Sequence, residues 1–469
     1  MSNSEATIIN DDQDLIDAGY KPQLKRKIGF FASFAASFSI MSVLMGVFTN
    51  YGYVLGKAGP FGLWTWFIVG FGQLMVALVF AEMAGRIPLT GALYNWNDKL
   101  GHPAISSLVA WLSIFAYAIG AAGIIVIMMA PLQSLIGHSL SMGTIQIVGL
   151  AIIAVQMFIS IYGIRLAASI NKFAVVAEIL ALIVFGGLLL FVVAAKGQIN
   201  TSYLTTIPST PVPYWPAFLI SILLGAWTIF GFEAPSDLSE ETLNVKRIVP
   251  KSIISGIITS IVLGAFFIGV VTIAIPNLAT VTASADPIST IFATHLGQGL
   301  TNVMLLMVLI AMFATALLNL TVATRVLFAI SRDEKFVGHS LLKKVSSHGI
   351  PVYSVIAIIA VEVITFLTMY GLSAIYASAI VLLGLAYLIT VVNFVLNIKK
   401  LPPTTNFSLG KWHWPVVIIS IVWLVLLLIV LTIPQEFHLA AEIGAGVVIL
   451  GFVQYFLQRA SKGKVVAIS

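Results

Sequence analysis

Twelve apolar stretches of about twenty residues each divide this sequence. Helices of that length cross the roughly 30 Å hydrocarbon core of a bilayer. The chain is 59% hydrophobic and 9% charged, whereas soluble domains carry about 25% charged residues. Lipid must therefore be its main solvent, and we predict an all-α integral membrane protein with twelve transmembrane helices. We number the stretches spans 1 to 12: 29–54, 61–84, 104–135, 143–162, 169–195, 215–236, 250–276, 301–330, 352–370, 373–397, 414–434 and 438–458.

Basic residues alternate between the loops as in a protein with both termini in the cytoplasm. If the N-terminus is inside, 21 of the 24 Lys and Arg lie inside, as the positive-inside rule requires. This asymmetry predicts a multi-pass protein of the cell membrane and explains the net charge of +6 without a nucleic-acid partner. The polar ends, 1–27 and 460–469, are expected to be cytoplasmic tails, and the N-terminal one is expected to be disordered.

Two of the spans carry helix breakers or polar residues at membrane depth. Span 6 and the residues after it read "LLGAWTIFGFEAPSDLSEE" (223–241), with Gly231, Glu233 and Pro235 within five residues, and span 1 contains "SFSIMSVLMGVFTNYG". A helix interrupted in lipid persists only where it is packed in protein or lines a cavity. Interruptions at matching places in two halves of a chain indicate an inverted-repeat secondary transporter, with substrate bound between them.

Three motifs resemble the amino acid–polyamine–organocation (APC) superfamily: "AEMAGRIPLTGALYNWNDKLG" (81–101), "WTIFGFEA" (227–234) and "ISRDEKFVGHSLLKKVSSHGIPVYSV" (330–355). The resemblance covers roughly 29–400. Two further strings, "FTNYGYVLGKAGP" and "FEAPSDLSEET", are most similar to its amino acid/choline transporter branch. Members of that branch carry γ-aminobutyrate, choline, ethanolamine and other amines or amino acids.

The resemblance implies a LeuT-like fold, a 5+5 inverted repeat with helices 1 and 6 broken. The first repeat would be 28–200, the second 201–400, and 401–459 would form peripheral spans 11 and 12. Two departures from the family pattern bear on the site: Leu44 replaces a glycine of the span 1 break, and Glu178 replaces a lysine common in span 5. The substrate-binding residues expected from the two breaks are Ser42, Val43, Leu44, Met45, Gly46, Trp227, Phe230, Gly231, Phe232, Glu233 and Ala234.

Ionisable groups within spans are functional candidates by default. We expect Glu233, with Glu178 as its rival, to couple transport to an ion, and Asn319 and Thr321 to offer side-chain oxygens near span 1. The alternatives are structural: a helix cap at Glu233, a hydrogen bond from Glu178 to span 1 or 8, and bonds from the span 8 side chains to their own helix. Glu82 and Arg86 are four residues apart, a spacing that favours an ion pair at a cytoplasmic gate.

These features predict a secondary active permease for a small amino acid or amine, with a proton as the coupling ion. A substrate/product exchanger and a sodium-coupled amine carrier remain open. A channel would need a continuous polar file, and a membrane enzyme would need clustered catalytic groups, whereas the polar residues here are isolated. We expect no enzymatic activity, cofactor, metal site or obligate protein partner beyond the lipid bilayer.

Overall fold

The structure is a computed structural model, and it describes residues 11–13, 15–16, 19–21, 26–162, 164–208, 213–347, 349–368, 374–401 and 406–466. Within these residues the fold is α-helical, and an isolated bridge between Ile28 and Thr242 is its sole extended pairing. The first ten and last three residues of the expected tails lie outside the described part.

Each predicted span is occupied by one helix or by a series of helices. Span 1 consists of two helices and span 6 of three, while each remaining span contains one long helix within the described residues. Short helices join them, notably Ala92–Leu100 after span 2 and Pro287–Leu296 before span 8. In order, the helices of the spans are Phe30–Met41, Val43–Ala58, Thr65–Arg86, Pro103–Ile136, Met142–Tyr162, Ile164–Ala195, Tyr214–Ile220, Leu223–Thr228, Ala234–Asp237, Val245–Ile273, Gln298–Arg332, Val352–Thr368, Ala374–Asn397, His413–Val430 and His438–Val466.

Ten helical segments of the described chain are long and apolar enough to cross a membrane. The two remaining spans contain the shorter apolar segments Tyr214–Thr228 and Val352–Thr368. The first is short because the span 6 helix is broken after Thr228. The second ends where the described residues stop before 374. The described residues therefore contain ten candidate membrane spans, while the count of twelve stays a prediction.

Glycines let bulky side chains of neighbouring spans approach the backbone closely. A Cβ added to Gly264 of span 7 would lie 2.0 Å from the ring of Trp66 in span 2, and one added to Gly149 of span 4 would lie 2.1 Å from Phe366 in span 9. Large apolar side chains such as Phe191 and Leu396 are exposed on the outer surfaces. Packing of small residues inside and an apolar exterior are what a bilayer requires of a helical bundle.

The expectation of a disordered N-terminal tail is wrong for the described part of that segment, which docks on the face of the bundle that contains Arg26, Thr90, Glu240 and Arg332. We call this face the basic face. The guanidinium of Arg26 is buried and donates to Asp12 Oδ1 at 2.7 Å and to the carbonyl oxygens of Asp11, Ser239 and Thr242 at 2.9–3.1 Å. Composition predicted disorder because the tail is polar, but a buried cation with four acceptors fixes it.

Backbone bonds extend the same attachment into span 1. The amides of Lys27 and Ile28 donate to the carbonyl of Glu241, and the amide of Leu243 donates to the carbonyl of Ile28. The residues that enter span 1 are thus joined to those that leave span 6. The ends of both broken spans on the basic face therefore form one unit.

Replacing Arg26 by Ala should destabilise the protein, because four acceptors at a buried position lose their donor. We expect a loss of roughly 1–3 kcal/mol, measured as a lower midpoint of unfolding in detergent. Lys27→Ala is the matched control, since the Lys27 side chain is exposed. Equal midpoints for the two variants would contradict the docked arrangement.

Candidate functional site

The two broken spans lie side by side at their interruptions. Trp227 Nε1 donates to the sulfur of Met45 at 3.3 Å. A Cβ added to Gly46 would lie 1.8 Å from Thr228 Oγ1, and one added to Gly231 would lie 3.1 Å from Ile40. The structure therefore brings together the two regions that the sequence singled out separately.

The break of span 6 runs from Ile229 to Glu233, between the helices Leu223–Thr228 and Ala234–Asp237. Gly231 adopts a φ of 76°, a left-handed conformation that costs glycine little. Its amide, which has left the helical ladder, donates to the hydroxyl of Tyr387 in span 10 at 3.1 Å. The break is thus held by a side chain from another span.

Glu233 binds two tyrosine hydroxyls. Tyr117 of span 3 donates to Oε1 and Tyr387 of span 10 donates to Oε2. All three side chains are fully buried. Two hydroxyl donors stabilise a buried carboxylate, and they tie span 6 to spans 3 and 10.

Carbonyl groups beside the breaks are also bound by side chains. Ser37 Oγ of span 1 donates to the carbonyl of Phe232 at 3.1 Å. Thr315 Oγ1 of span 8 lies 2.8 Å from the carbonyl of Ser39. These contacts meet the requirement that backbone groups in a bilayer find partners within the protein.

The break of span 1 is at Ser42, whose φ of 20° interrupts the helix between Met41 and Val43. Glu178 Oε1 of span 5 accepts hydrogen bonds from Ser42 Oγ and the amide of Leu44, both at 3.0 Å. Glu178 therefore forms a structural bond to span 1, one of the alternatives that its position allowed.

The break of span 1 does not extend to Gly46. Gly46 is the fourth residue of the helix Val43–Ala58, and its role there is to admit Thr228. From sequence alone, a glycine required for close helix contact cannot be distinguished from a glycine required for a break. Val43, Leu44 and Met45 are buried in the first turn of this helix.

Aromatic rings surround the interrupted part of span 6. The ring centroids of Trp227 and Tyr376 are 5.6 Å apart, and those of Phe230 and Tyr387 are 6.4 Å apart. Phe232 packs on the same Tyr387 at 5.3 Å. Faces of such rings attract cations.

Sequence reasoning missed Tyr117, Tyr387 and Asp237. The tyrosines lie in uninterrupted apolar spans, so only their hydroxyls at membrane depth mark them. Asp237 ends the short helix Ala234–Asp237, is buried, and its Oδ1 has no hydrogen-bond partner among the described residues. A carboxylate one turn after Glu233 is the signal that could have identified it.

Across the described chain, His, Asp and Glu form no group of three that suits a metal ion.

The two candidates of span 8 differ in their surroundings. Asn319 is buried, and its Oδ1 would lie 3.1 Å from a Cβ added to Gly120 of span 3. Thr321 is partly exposed and donates to the carbonyl of Leu317 in its own helix. The span 8 hydroxyl that reaches span 1 is that of Thr315.

The expected ion pair on the basic face is present. Arg86 Nη2 lies 2.6 Å from Glu82 Oε1, and Glu82 Oε2 accepts the amide of Leu409, just before span 11, at 3.1 Å. Nearby, Tyr94 donates to Asp333 at 2.6 Å. Burial, together with the Asp333 carboxylate, raises the pKa of the Tyr94 hydroxyl, so it stays a donor at physiological pH.

Comparisons with known proteins agree with this architecture. A sequence profile of the family described as amino acid permease matches residues 28–453. The amino-acid permease BAT1 of Arabidopsis thaliana is 26% identical over 91% of this chain and 89% of its own. The BAT1 homolog of Oryza sativa is 24% identical over 91% and 88%. The thiamine transporter thi9 of Schizosaccharomyces pombe is 23% identical over 95% and 84%.

Tyr387→Phe should lower the unfolding midpoint in detergent more than Tyr117→Phe. The first change leaves both the amide of Gly231 and one oxygen of Glu233 without a partner, whereas the second affects only the other oxygen. Each unpaired buried group costs roughly 1–3 kcal/mol. Equal midpoints would show that Tyr387 does not support the break.

Gly46→Leu should abolish uptake of substrate while expression stays near that of the wild type, because the added side chain would displace Thr228 and separate the two breaks. Gly56→Leu is the control, since it lies in the same helix and a Cβ there meets nothing within 4 Å. Transport by the Gly46 variant at the rate of the control would contradict the close contact.

Proposed function

We propose, from the premise that this chain belongs to the amino acid permease family of the APC superfamily, that it is a secondary active carrier of a small amino acid or amine. The chain is a multi-span membrane transporter and not an enzyme. Its substrates are amino acids or related organic cations. Mechanism, coupling and topology are the proposed part.

The observation that carries this proposal is the meeting of two buried helix breaks. Glu178 caps the helix that begins at Val43, and Glu233 lies in the break of span 6. Carboxylates, freed carbonyls and aromatic rings within one buried region favour a small ligand that carries an amine. We place the substrate between these breaks.

Alternating access would follow from movement of the two broken spans against the rest of the bundle. Twelve spans arranged as a 5+5 inverted repeat, with both termini cytoplasmic in the plasma membrane, would make the basic face the cytoplasmic gate. In this proposal the Glu82–Arg86 pair and the contacts of Arg26 with the residues after span 6 hold that face closed. Opening requires these contacts to separate.

A proton is the coupling ion in this proposal, and Glu233 carries it. Burial opposes a negative charge on its side chain, while the hydroxyls of Tyr117 and Tyr387 stabilise one. Substrate arrival and access to water change the balance between these effects. Glu178 is the rival carrier, since it too is buried at a break.

Glu233→Gln should flatten the pH dependence of uptake in proteoliposomes and abolish accumulation driven by a pH gradient, yet permit substrate-for-substrate exchange. The amide cannot cycle a proton but nearly preserves the shape of the side chain. Glu442→Gln is the matched control, because Glu442 is an exposed carboxyl in span 12.

A wild-type pH profile in the Glu233 variant would exclude Glu233 as the proton carrier. Flattening by Glu178→Gln alone would move the coupling role to span 5. Sodium-dependent uptake that survives both changes would identify sodium as the ion, and exchange without any ion dependence would favour the exchanger. Linear, non-saturating flux without counterflow would indicate a channel and overturn the carrier proposal.

A further inference from the structure

The N-terminus of the long half-helix in span 1 is already occupied by a carboxyl group of the protein itself. The helix Val43–Ala58 has sixteen residues, so its first amides carry the partial positive charge of a full helix dipole. Glu178 Oε1 accepts from the amide of Leu44 and from the hydroxyl of Ser42. Both bonds are buried.

This N-terminus is where a carboxylate of a substrate would bind. Half-helix N-termini in broken transporter helices point at anionic groups of substrates, and backbone amides there bind carboxylates readily. In this chain the carboxyl of Glu178 takes that position. A substrate carboxylate would have to displace Glu178 and would meet its negative charge.

No equivalent position is available in span 6. The helix after its break, Ala234–Asp237, has four residues and ends in an acid. A helix that short builds little dipole, and the buried Asp237 opposes a second anion. Within the described residues, span 6 offers acids and aromatic rings rather than a site for a carboxylate.

The ionisable side chains buried at the breaks are all acids. Glu178, Glu233 and Asp237 are each at most 2% exposed. Arg325, a buried cation of span 8, has its guanidinium 3.0 Å from Glu241 near the basic face. Buried charges require opposite charges nearby, and a cationic ligand would supply one.

We propose that the substrate is a small organic cation that lacks a carboxylate, and that Glu178 excludes carboxylates by occupying the N-terminal amides of the span 1 half-helix. This inference rests on the proposed carrier function and specifies the class of its substrate. The amine would lie towards Glu233 and Asp237, against the rings of Trp227 and Phe230. Glu178 thereby acts as a specificity-determining residue.

The experiment uses pairs of compounds that differ chiefly in a carboxylate: agmatine and arginine, putrescine and ornithine, choline and betaine. Each is tested for its effect on the unfolding midpoint of the purified protein and for saturable uptake with counterflow in proteoliposomes. In the wild type, the amine of at least one pair should bind at least about tenfold more tightly than its carboxylated partner, since the latter must displace a buried carboxyl from a helix N-terminus.

Glu178→Ala frees Ser42 Oγ and the amide of Leu44, so the preference for that amine should fall about tenfold. Glu178→Gln removes the charge, but its side-chain oxygen can still accept from the amide of Leu44. This variant should therefore bind the amine more weakly and still exclude the carboxylated partner. Glu362→Ala is the matched control, because Glu362 is an equally buried carboxyl in span 9. It should leave the preference unchanged.

Each outcome decides. Carboxylated partners that bind and are transported as well as the amines in the wild type would overturn the inference and leave the carrier proposal intact. An amine preference that persists in a folded Glu178→Ala variant would overturn the role of Glu178. Failure of every pair to bind or be transported would overturn the proposed function and the inference with it. If Glu178→Ala does not fold, the wild-type ranking and Glu178→Gln still decide.

Discussion

The constraint on which this structure depends is that a backbone group in a bilayer must find its hydrogen-bond partner within the protein. Breaking a helix at Ser42 and again at Gly231 releases amides and carbonyls where water is scarce. Side chains of spans 1, 5, 8 and 10 meet this requirement, and Tyr387 holds the span 6 break by binding both the amide of Gly231 and the carboxyl of Glu233. The site thus arises from the same contacts that make the interruptions tolerable.

The sequence predicts the helical membrane fold and the span 6 break because the signals are local. A run of apolar residues is sufficient to identify a span, and Gly231, Glu233 and Pro235 mark a break without any partner being known. The same local reasoning could not separate Ser42, where the span 1 helix is interrupted, from Gly46, which lets Thr228 of span 6 approach. Serine is not a helix breaker, so the residue type at Ser42 does not mark the interruption. The conformation there is held by the bond from the Ser42 hydroxyl to Glu178.

The remainder of the site is tertiary and therefore invisible in a single sequence. Tyr117 and Tyr387 are 270 residues apart in the sequence, and neither of their spans carries an interruption that would draw attention to it. In the N-terminal segment the composition predicted disorder where the structure shows order, because Arg26 donates to four acceptors. In both cases the decisive partner is remote in the chain.

The bonds between Glu233 and the two tyrosines also bear on how this protein can diverge. Loss of one hydroxyl leaves a buried oxygen unpaired, whereas replacing all partners with apolar groups of similar shape can be nearly neutral. Single changes at these three positions are therefore disfavoured. Relatives that abandon the glutamate could carry phenylalanine in place of Tyr117, whereas Tyr387 would still be needed to accept the amide of Gly231. Positions 117 and 233, in spans 3 and 6, should then change together during divergence, while the tyrosine of span 10 is retained for as long as span 6 is broken at Gly231.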